Sequence, residues 1–191
     1  AAIAVAIFGW IGLQLLTSNF QSADSVEESI SSPLPDIVIT APTGTGEQVV
    51  ISGISTYDPF GDDTENEDLA PLAIDGDTKT AWTTVSYRLA TMSKSGVGLI
   101  VDLGAETLVT KVDLEFTSEG HIAQIYVGDT TTPDFSTATK IGQTDGLSNV
   151  ASVVVKEPKI SRYVFVWLTP DLPKAKSGKY QGGIAEITVF R

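Results

Sequence analysis

Cysteine is absent from this sequence of 191 residues, and histidine occurs once, at His121. The absence of cysteine excludes a disulfide framework, a thiol nucleophile and a cysteine-ligated zinc site. A single histidine excludes a multi-histidine metal centre, and a Ser-His-Asp triad would have to be built on His121 alone. Because the preceding Ser118-Glu119-Gly120 segment does not support such a triad, we expect a protein that is not an enzyme.

Basic residues are missing from the first 78 positions, which hold 13 acidic residues and neither lysine nor arginine. The remaining positions hold 11 acidic and 12 basic residues, so the formal net charge of −12 arises almost entirely in the first part of the chain. Binding to a phosphate backbone requires clustered positive charge, so we expect no nucleic-acid partner. The acidic segment Asp58–Asp68 has no apolar flanks, and we expect it to form a solvated or ion-binding loop.

The chain begins with a long apolar run, AAIAVAIFGWIGLQLL, which is shorter than the about 20 residues needed to cross a bilayer. We interpret residues 1–20 as the C-terminal part of a transmembrane helix, with a buried amphipathic helix as the alternative. Residues 21–46 are rich in serine, proline and acidic residues, which is typical of a solvated stalk. Cytoplasmic flanks of membrane spans are enriched in lysine and arginine, and this flank has none. We therefore expect a protein of the cell membrane whose following domain lies outside the cytoplasm.

Residues 47–191 have the pattern of short β-strands separated by turn residues. The alternation is clearest at Leu108–Thr117, where Val112, Leu114 and Phe116 share one face. The other predicted strands are Gln48–Ile51, Gly98–Leu103, Ile122–Val127, Val150–Val155, Ile160–Leu168 and Ile184–Phe190. A helical turn is predicted only at Glu67–Ala73. This series of strands predicts an all-β fold, an antiparallel jelly-roll β-sandwich.

The segment Ala73–Trp82, AIDGDTKTAW, combines carboxylates, a hydroxyl group and a tight Asp-Gly turn. Calcium prefers six to eight oxygen ligands of this kind. The residue types alone make Asp75, Thr80 and Glu186 candidates for a cation site that would join the last strand to an early loop. The alternative is that Asp75 caps a turn without any metal.

The AIDGDTKTAW run, the strand sequence GVGLIVDLG and the closing GGIAEITVF together resemble the discoidin or F5/8 type C family, whose fold is also called galactose-binding-like. The resemblance covers residues 47–191. It implies a structural calcium ion, with sodium as the alternative, and a core position for Trp82. The ligands that it implies are side-chain oxygens of Asp75, Thr80 and Glu186 and backbone carbonyls of Leu72, Asp77, Thr80 and Ala185.

The order of an apolar segment, an acidic stalk, DPFGDDTENED and AIDGDTKTAW is similar to the extracytoplasmic C-terminal domain of actinobacterial MviN/MurJ proteins, relatives of the lipid II flippase. Lys94 and the following Gly96-Val97-Gly98-Leu99 match that pattern. The resemblance implies a role in translocating a peptidoglycan precursor, with a cell-wall glycan or lipid-linked precursor and cell-wall synthesis proteins as partners. Related ectodomains are also fused to Ser/Thr kinases. A sensor ectodomain or protein-interaction module without a glycan ligand therefore stays as an alternative.

Sugar recognition on such sandwiches uses exposed aromatic side chains and polar groups on the loops at one end. The candidate residues are Tyr57, Phe60, Tyr87, Arg88 and Tyr180. Tyr87 and Arg88 have the strongest claim, because they lie in the loop between Trp82 and the strand that follows Gly96. For each candidate, ordinary partial burial is the alternative. The sequence thus predicts a non-catalytic domain that binds a carbohydrate-bearing or cell-wall ligand.

Overall fold

The computed structural model describes residues 46–63 and 65–191. The transmembrane segment predicted at 1–20 lies outside these residues, as does the predicted stalk up to residue 45. Within the described ranges, no helix is long and apolar enough to span a bilayer.

Seven strands and one 3-10 helix make up the described part of the chain. They are β1 Gly53–Tyr57, the 3-10 helix Glu67–Ala73, β2 Trp82–Thr83, β3 Val97–Phe116, β4 Ala123–Gly128, β5 Thr139–Gln143, β6 Val150–Leu168 and β7 Gly183–Phe190. Every strand pair is antiparallel. The all-β antiparallel prediction is confirmed, and the predicted helical turn is the 3-10 helix.

Strands β3 and β6 are long because each runs through both layers of a β-sandwich. In the first layer, residues 97–102 of β3 lie between β1 and the second half of β6, and β4 and β5 continue that layer. In the second layer, residues 111–116 of β3 lie between β7 and the first half of β6, and β2 pairs with β7. Register shifts between the two halves of β3 mark bulges, which bend a strand and allow it to change layers.

The main core lies between the two layers. Val112, Leu114 and Phe116 are buried there together, as the alternation predicts. The Trp82 side chain is fully buried in the same core, which confirms its predicted packing role. A second apolar cluster lies on the outer face of the first layer and contains Phe165 and Trp167. The second half of β6 therefore buries both of its faces, which explains its continuous apolar sequence.

The predicted first strand, Gln48–Ile51, is wrong. Gln48 forms only an isolated bridge with Phe190. The flanking Glu47 and Arg191 exchange backbone hydrogen bonds of 3.2 and 2.9 Å, so the first and last segments of the sandwich domain are adjacent. Val49 and Ile51 pack on the core without joining a strand ladder, whereas Val50 is 85% exposed.

The limits of the other strands also differ from the predictions. The segments Gly98–Leu103 and Leu108–Thr117, predicted as two strands, belong to β3, and Val150–Val155 and Ile160–Leu168 both belong to β6. Strands β1 and β5 were not predicted, because neither has a clear apolar alternation. Both lie on the flanks of the first layer, where β1 pairs only with β3 and β5 only with β4 among the described residues.

Candidate functional site

The Asp-Gly turn that follows the 3-10 helix is built by its own side chains. Asp75 Oδ1 accepts a hydrogen bond from the Asp77 amide at 2.8 Å, and Gly76 adopts a left-handed φ of 78°, which favours glycine. The Thr80 hydroxyl donates to Asp75 Oδ2 at 2.7 Å and to the Asp77 carbonyl at 2.9 Å. Asp75, Thr80 and the Asp77 carbonyl therefore present oxygens on one side of the turn.

Glu186 of β7 reaches this turn from 110 residues away in the sequence: the Gly76 amide donates to Glu186 Oε2 at 2.9 Å. The register of β7 against β3 explains how it does so. Glu186 is opposite Glu115, but the next pair is Ile184 with Phe116, so Ala185 opposes no residue of β3. An extra residue of this kind is a β-bulge, which redirects the neighbouring side chains and leaves its own backbone outside the ladder. The predicted convergence of Asp75, Thr80 and Glu186 is thus present in the structure.

The electrostatics of the turn suit a cation. Burial raises the pKa of Glu186 above its ordinary value; the Gly76 hydrogen bond opposes this rise, and the charges of Asp75 and Glu115 add to it. Hydrogen bonds from the Asp77 amide and the Thr80 hydroxyl lower the pKa of Asp75. Among residues 46–63 and 65–191, no ion pair joins Asp75 or Glu186 to a basic side chain, and a bound cation would neutralise the repulsion between the two carboxylates.

The structure places the other implied metal ligands less directly. The Asp77 carboxylate accepts from the Lys79 amide at 3.0 Å and so caps its own turn. Leu72 lies in the 3-10 helix just before the turn, and Ala185 is the bulged residue. Among residues 46–63 and 65–191, no three histidine, cysteine or acidic side chains gather as a metal cluster. The donor set thus consists of two carboxylates, one hydroxyl and backbone carbonyls, all of them oxygens, and it fits a hard cation.

A second group of candidate residues lies at the end of the sandwich where β1 ends and β3 begins. We call the surface formed there by residues 58–63, 65–66, 84–96 and 169–182 the loop face. The Thr91 hydroxyl donates to Asp171 at 2.6 Å, and the backbones of Tyr87 and Tyr180 exchange hydrogen bonds of 2.8 and 3.0 Å. These contacts hold the 84–96 and 169–182 stretches, which are distant in sequence, against each other.

Beneath the loop face lies a buried charge cluster of Asp58, Glu65, Lys94 and Tyr87. Lys94 Nζ donates to Asp58 Oδ2 at 2.7 Å and to Glu65 Oε1 at 2.8 Å, and both carboxylate side chains are at most 1% exposed. The Tyr87 hydroxyl donates to the same Glu65 oxygen, and the Val85 amide donates to the other at 2.8 Å. The prediction of a solvated acidic loop is therefore wrong for Asp58 and Glu65, because Lys94 compensates their charge inside the protein.

The protonation states in the cluster follow from burial and from its hydrogen bonds. Burial alone would lower the pKa of Lys94, but hydrogen bonds to Asp58, Glu65 and Tyr87 outweigh it and hold that pKa above the usual range. Burial raises the pKa of Asp58, and the hydrogen bond from Lys94 opposes the rise. The pKa of Tyr87 is strongly raised by burial and by its hydrogen bond to Glu65. Lys94 and neutral Tyr87 are thus fixed partners of the two carboxylates.

The predicted sugar-binding residues form two groups: four of them lie on the loop face, and Tyr57 lies beside it at the end of β1. Tyr87, Arg88 and Tyr180 form the first, in which Arg88 is exposed and both tyrosines are half-buried. Tyr57 and Phe60 form the second, beside the outer aromatic cluster. The buried charge cluster connects the groups, because Asp58 lies between Tyr57 and Phe60 in the sequence and Tyr87 belongs to the cluster itself.

Phe60 and Tyr57 differ in what they offer to a ligand. The Phe60 side chain is 61% exposed, and its ring lies edge-on to Trp167 at a centroid distance of 6.3 Å. The Tyr57 hydroxyl donates to the Pro133 carbonyl at 3.0 Å, and its ring packs against Phe135. Phe60 is therefore the more accessible aromatic platform of the two, and Tyr57 supports the outer aromatic cluster beneath Phe60.

The sequence did not identify Glu65 as a residue that holds Lys94 and Tyr87 in position. Lys94 was noted only because it matches the MviN/MurJ pattern. Lys94 is one of three basic residues between Asp58 and Gly96, with Lys79 and Arg88, so the local sequence did not distinguish it. Its partners lie 29 and 36 residues earlier, so the spacing alone did not identify them.

His121 has a structural environment. Its Nε2 atom accepts a hydrogen bond from the Gly183 amide at 2.9 Å, which requires the proton to be on Nδ1, 2.8 Å from the Ser118 carbonyl. The ring is fully buried and stacks on Phe116 at a centroid distance of 5.0 Å. Burial lowers the pKa of His121, so the neutral ring joins β4 to the start of β7.

No protein-family model matches this sequence. Among solved structures, the chain is similar to the CBM32 of AlyQ in complex with 4,5-unsaturated mannuronic acid, with 19% identity, a TM-score of 0.55, and coverage of 76% of this chain and 98% of that one. A chitosan-binding module 2 in complex with chitotriose, from a Paenibacillus chitosanase/glucanase, has 16% identity, a TM-score of 0.52, and coverage of 73% and 95%. The CpGH89CBM32-6 module produced by Clostridium perfringens has 18% identity, a TM-score of 0.52, and coverage of 73% and 92%. These likenesses establish the fold, a β-sandwich of the galactose-binding-like type.

Proposed function

We propose that residues 47–191 form a non-catalytic carbohydrate-binding domain that uses its loop face. The observation that carries the proposal is the exposed Phe60 ring, which is supported edge-on by Trp167 and lies next to the buried charge cluster. An aromatic platform with a few polar groups held in fixed positions beside it is the usual arrangement of a sugar site. The folds of modules solved with mannuronic acid and chitotriose support the same function.

Within the proposed site, Phe60 provides a surface on which a sugar ring stacks, and Arg88 provides an exposed cation for hydroxyl or carboxylate groups. Tyr87 and Lys94 act as positioning residues, because their polar atoms are bound to Glu65 and Asp58. Tyr180 holds the Arg88 loop through its backbone bridge to Tyr87. The site therefore combines a rigid base with accessible recognition groups.

The glycan proposal is tested by calorimetric titration with muropeptides, lipid II, chitotriose and mannuronate oligomers. We expect saturable binding to one of these classes and a loss of about tenfold or more in affinity for Phe60→Ala, since stacking on one aromatic ring contributes about 1–2 kcal/mol. Leu147→Ala, at an 80% exposed residue outside the loop face, serves as the control and should bind normally. Silence across all four ligand classes, or unchanged binding by Phe60→Ala, would contradict the proposal.

The narrower part of the proposal concerns the biological setting. The order of the apolar segment, the stalk and the domain supports an extracytoplasmic location at the cell membrane, in a protein of the MviN/MurJ type that moves peptidoglycan precursors. In that setting the ligand is a cell-wall glycan or a lipid-linked precursor. Binding of lipid II or muropeptides in preference to chitotriose and mannuronate is the expected result of the same titration.

We further propose that Asp75, Thr80 and Glu186 hold a structural calcium ion, with sodium as the alternative, together with backbone carbonyls of Leu72, Asp77, Thr80 and Ala185. The ion would neutralise the two adjacent carboxylates and fasten β7 to the turn. Support comes from the Gly76 to Glu186 hydrogen bond and from the bulge at Ala185.

Chelation tests the cation site. A ligand that binds only the folded state stabilises it by about 2.7 kcal/mol when present at 100 times its dissociation constant. We therefore expect a chelator to lower the melting temperature of the wild-type protein, and Asp75→Asn to lower it and to abolish the chelator effect. Asp145→Asn is the matched control, because Asp145 caps a similar turn through the Leu147 amide at 3.0 Å. A wild-type melt unchanged by chelator and by sodium removal would refute the site.

A further inference from the structure

A cavity between β5 and β6 lies away from the loop face. It has a volume of about 570 Å³ and is lined by residues 139–143 of β5 and by residues of the 152–159 segment of β6. A second cavity of about 310 Å³ adjoins it, and the two share Gln143, Ser152 and Val153 in their linings. We call this continuous feature the lateral groove.

Both walls of the lateral groove are unpaired strand edges. Within the described residues, β5 pairs only with β4, and residues 150–154 of β6 pair only with β3. An unpaired edge presents a row of backbone amides and carbonyls that can bind a further strand. Pro158 has no amide hydrogen, so the usable edge of β6 ends before it.

The side chains along the β6 edge alternate as an added strand would require. Val150 and Val154 are 57% and 68% exposed on the outer face, whereas Val153 and Val155 face inward and are buried. A strand paired with this edge would therefore place one set of alternate side chains next to the exposed valines and the other set in the groove. Over six residues such pairing spans about 20 Å.

The charge of the groove selects among peptides. Lys140, Lys156 and Lys159 line it against two acids, Glu157 and Asp145, so the groove carries more basic than acidic side chains although the protein as a whole is strongly acidic. Lys140 donates to Gln143 at 2.7 Å, and Lys159 lies 3.8 Å from Glu157, so both are held beside the cavity. The chemistry complementary to this surface is an apolar strand that carries carboxylates.

No aromatic residue lines either cavity, which argues against a sugar chain as the occupant. We propose that the lateral groove binds an extended acidic peptide, which adds as a strand to the free edge of β6 between residues 150 and 155. Backbone hydrogen bonds provide the affinity, and Val150, Val154 and the three lysines provide the selectivity. This interaction is independent of the glycan proposal, because it uses neither Phe60 nor the buried charge cluster.

The test uses the full chain and a fluorescein-labelled peptide that alternates valine with serine and ends in three glutamates. Fluorescence anisotropy should show saturable, salt-sensitive binding. Val154→Lys and Lys156→Glu should each weaken it by about tenfold or more, and Leu89→Lys, at a 72% exposed position in the loop face, should leave it unchanged. The bound peptide should also slow hydrogen exchange of the 150–155 amides.

Four outcomes overturn the proposal. A peptide that is N-methylated at alternate amides cannot donate the hydrogen bonds of an added strand. If it binds as tightly as the unmodified peptide, strand addition is excluded. A concentration-dependent dimer in sedimentation that Val154→Lys dissociates would make a second copy of this chain the occupant. If Val154→Lys abolishes glycan binding, the groove is a sugar site. If no saturable peptide binding is measured, the acidic peptide is not the ligand.

Discussion

Replacing Lys94 with methionine is expected to destabilise the domain by about 3–5 kcal/mol, because it removes one partner of a buried ion pair and leaves uncompensated charge inside. The Lys94 side chain is 10% exposed, and its partners Asp58 and Glu65 are 1% and 0% exposed. Methionine keeps most of the volume, so the loss reports the charge. For a domain of this size, such a change lowers the melting temperature by roughly 10 °C or more.

The assay is urea unfolding at neutral pH, with Lys111→Met as the control. Lys111 forms a pair with Asp113 at 2.7 Å, but both side chains are about one-third exposed. Exposed pairs of this kind contribute about 0–1 kcal/mol, so the control should be nearly neutral. The triple variant Lys94→Met, Asp58→Asn and Glu65→Gln should recover part of the lost stability, because it no longer buries two unpaired carboxylates.

The pH dependence supplies the decisive check. Burial raises the pKa of Asp58, and Lys94→Met removes the hydrogen bond that opposes this rise, so the folded variant should bind a proton at Asp58 more readily than the unfolded chain does. The variant should therefore gain stability relative to the wild type as the pH falls through the raised pKa of Asp58. If Lys94→Met loses no more than Lys111→Met, or if the difference from the wild type widens at low pH, the account of the cluster is refuted.

Two further predictions concern the framework that carries the sites. Since burial lowers the pKa of His121 and its Nε2 accepts from the Gly183 amide, the unfolded state binds the proton more readily. Stability measured by urea titration should be full above pH of about 6.5 and should decline below it until the folded pKa is reached, and His121→Gln should remove this step. In β3, a Cβ atom at Gly98 would lie 2.2 Å from the Val166 carbonyl, so Gly98→Ala should cost about 1–3 kcal/mol in thermal melts, whereas Gly53→Ala should be nearly neutral.

The strands with strong alternation were predictable from local sequence. Val112, Leu114 and Phe116 share one face because they alternate with polar residues, and only a core-facing strand satisfies that pattern. The Asp-Gly turn and Glu186 were predictable for a different reason, because carboxylates and a hydroxyl group at a tight turn are typical cation ligands. The structure brings the turn and Glu186 together through the Gly76 amide, and the cation itself stays a prediction.

The burial of Asp58 and Glu65 was not predictable from their own neighbourhood. A run of acids without apolar flanks is normally solvated, and only the position of Lys94 in the folded chain reverses that expectation. The same limit applies to the first strand. The apolar residues after Gln48 suggested a ladder, whereas the strand that pairs with β3 is the weakly patterned segment from Gly53 to Tyr57.

Because Glu47 and Arg191 are adjacent, the domain can be attached to a support from one place on its surface. Both attachment points leave the sandwich together, and β7 runs from there to the loop face over eight residues, about 26 Å at the usual rise per strand residue. A surface, a resin or a fluorescent protein joined at either point would therefore hold the loop face away from itself. Immobilisation through these positions leaves the proposed sugar-binding residues facing solution, which suits the domain to surface-based affinity measurements.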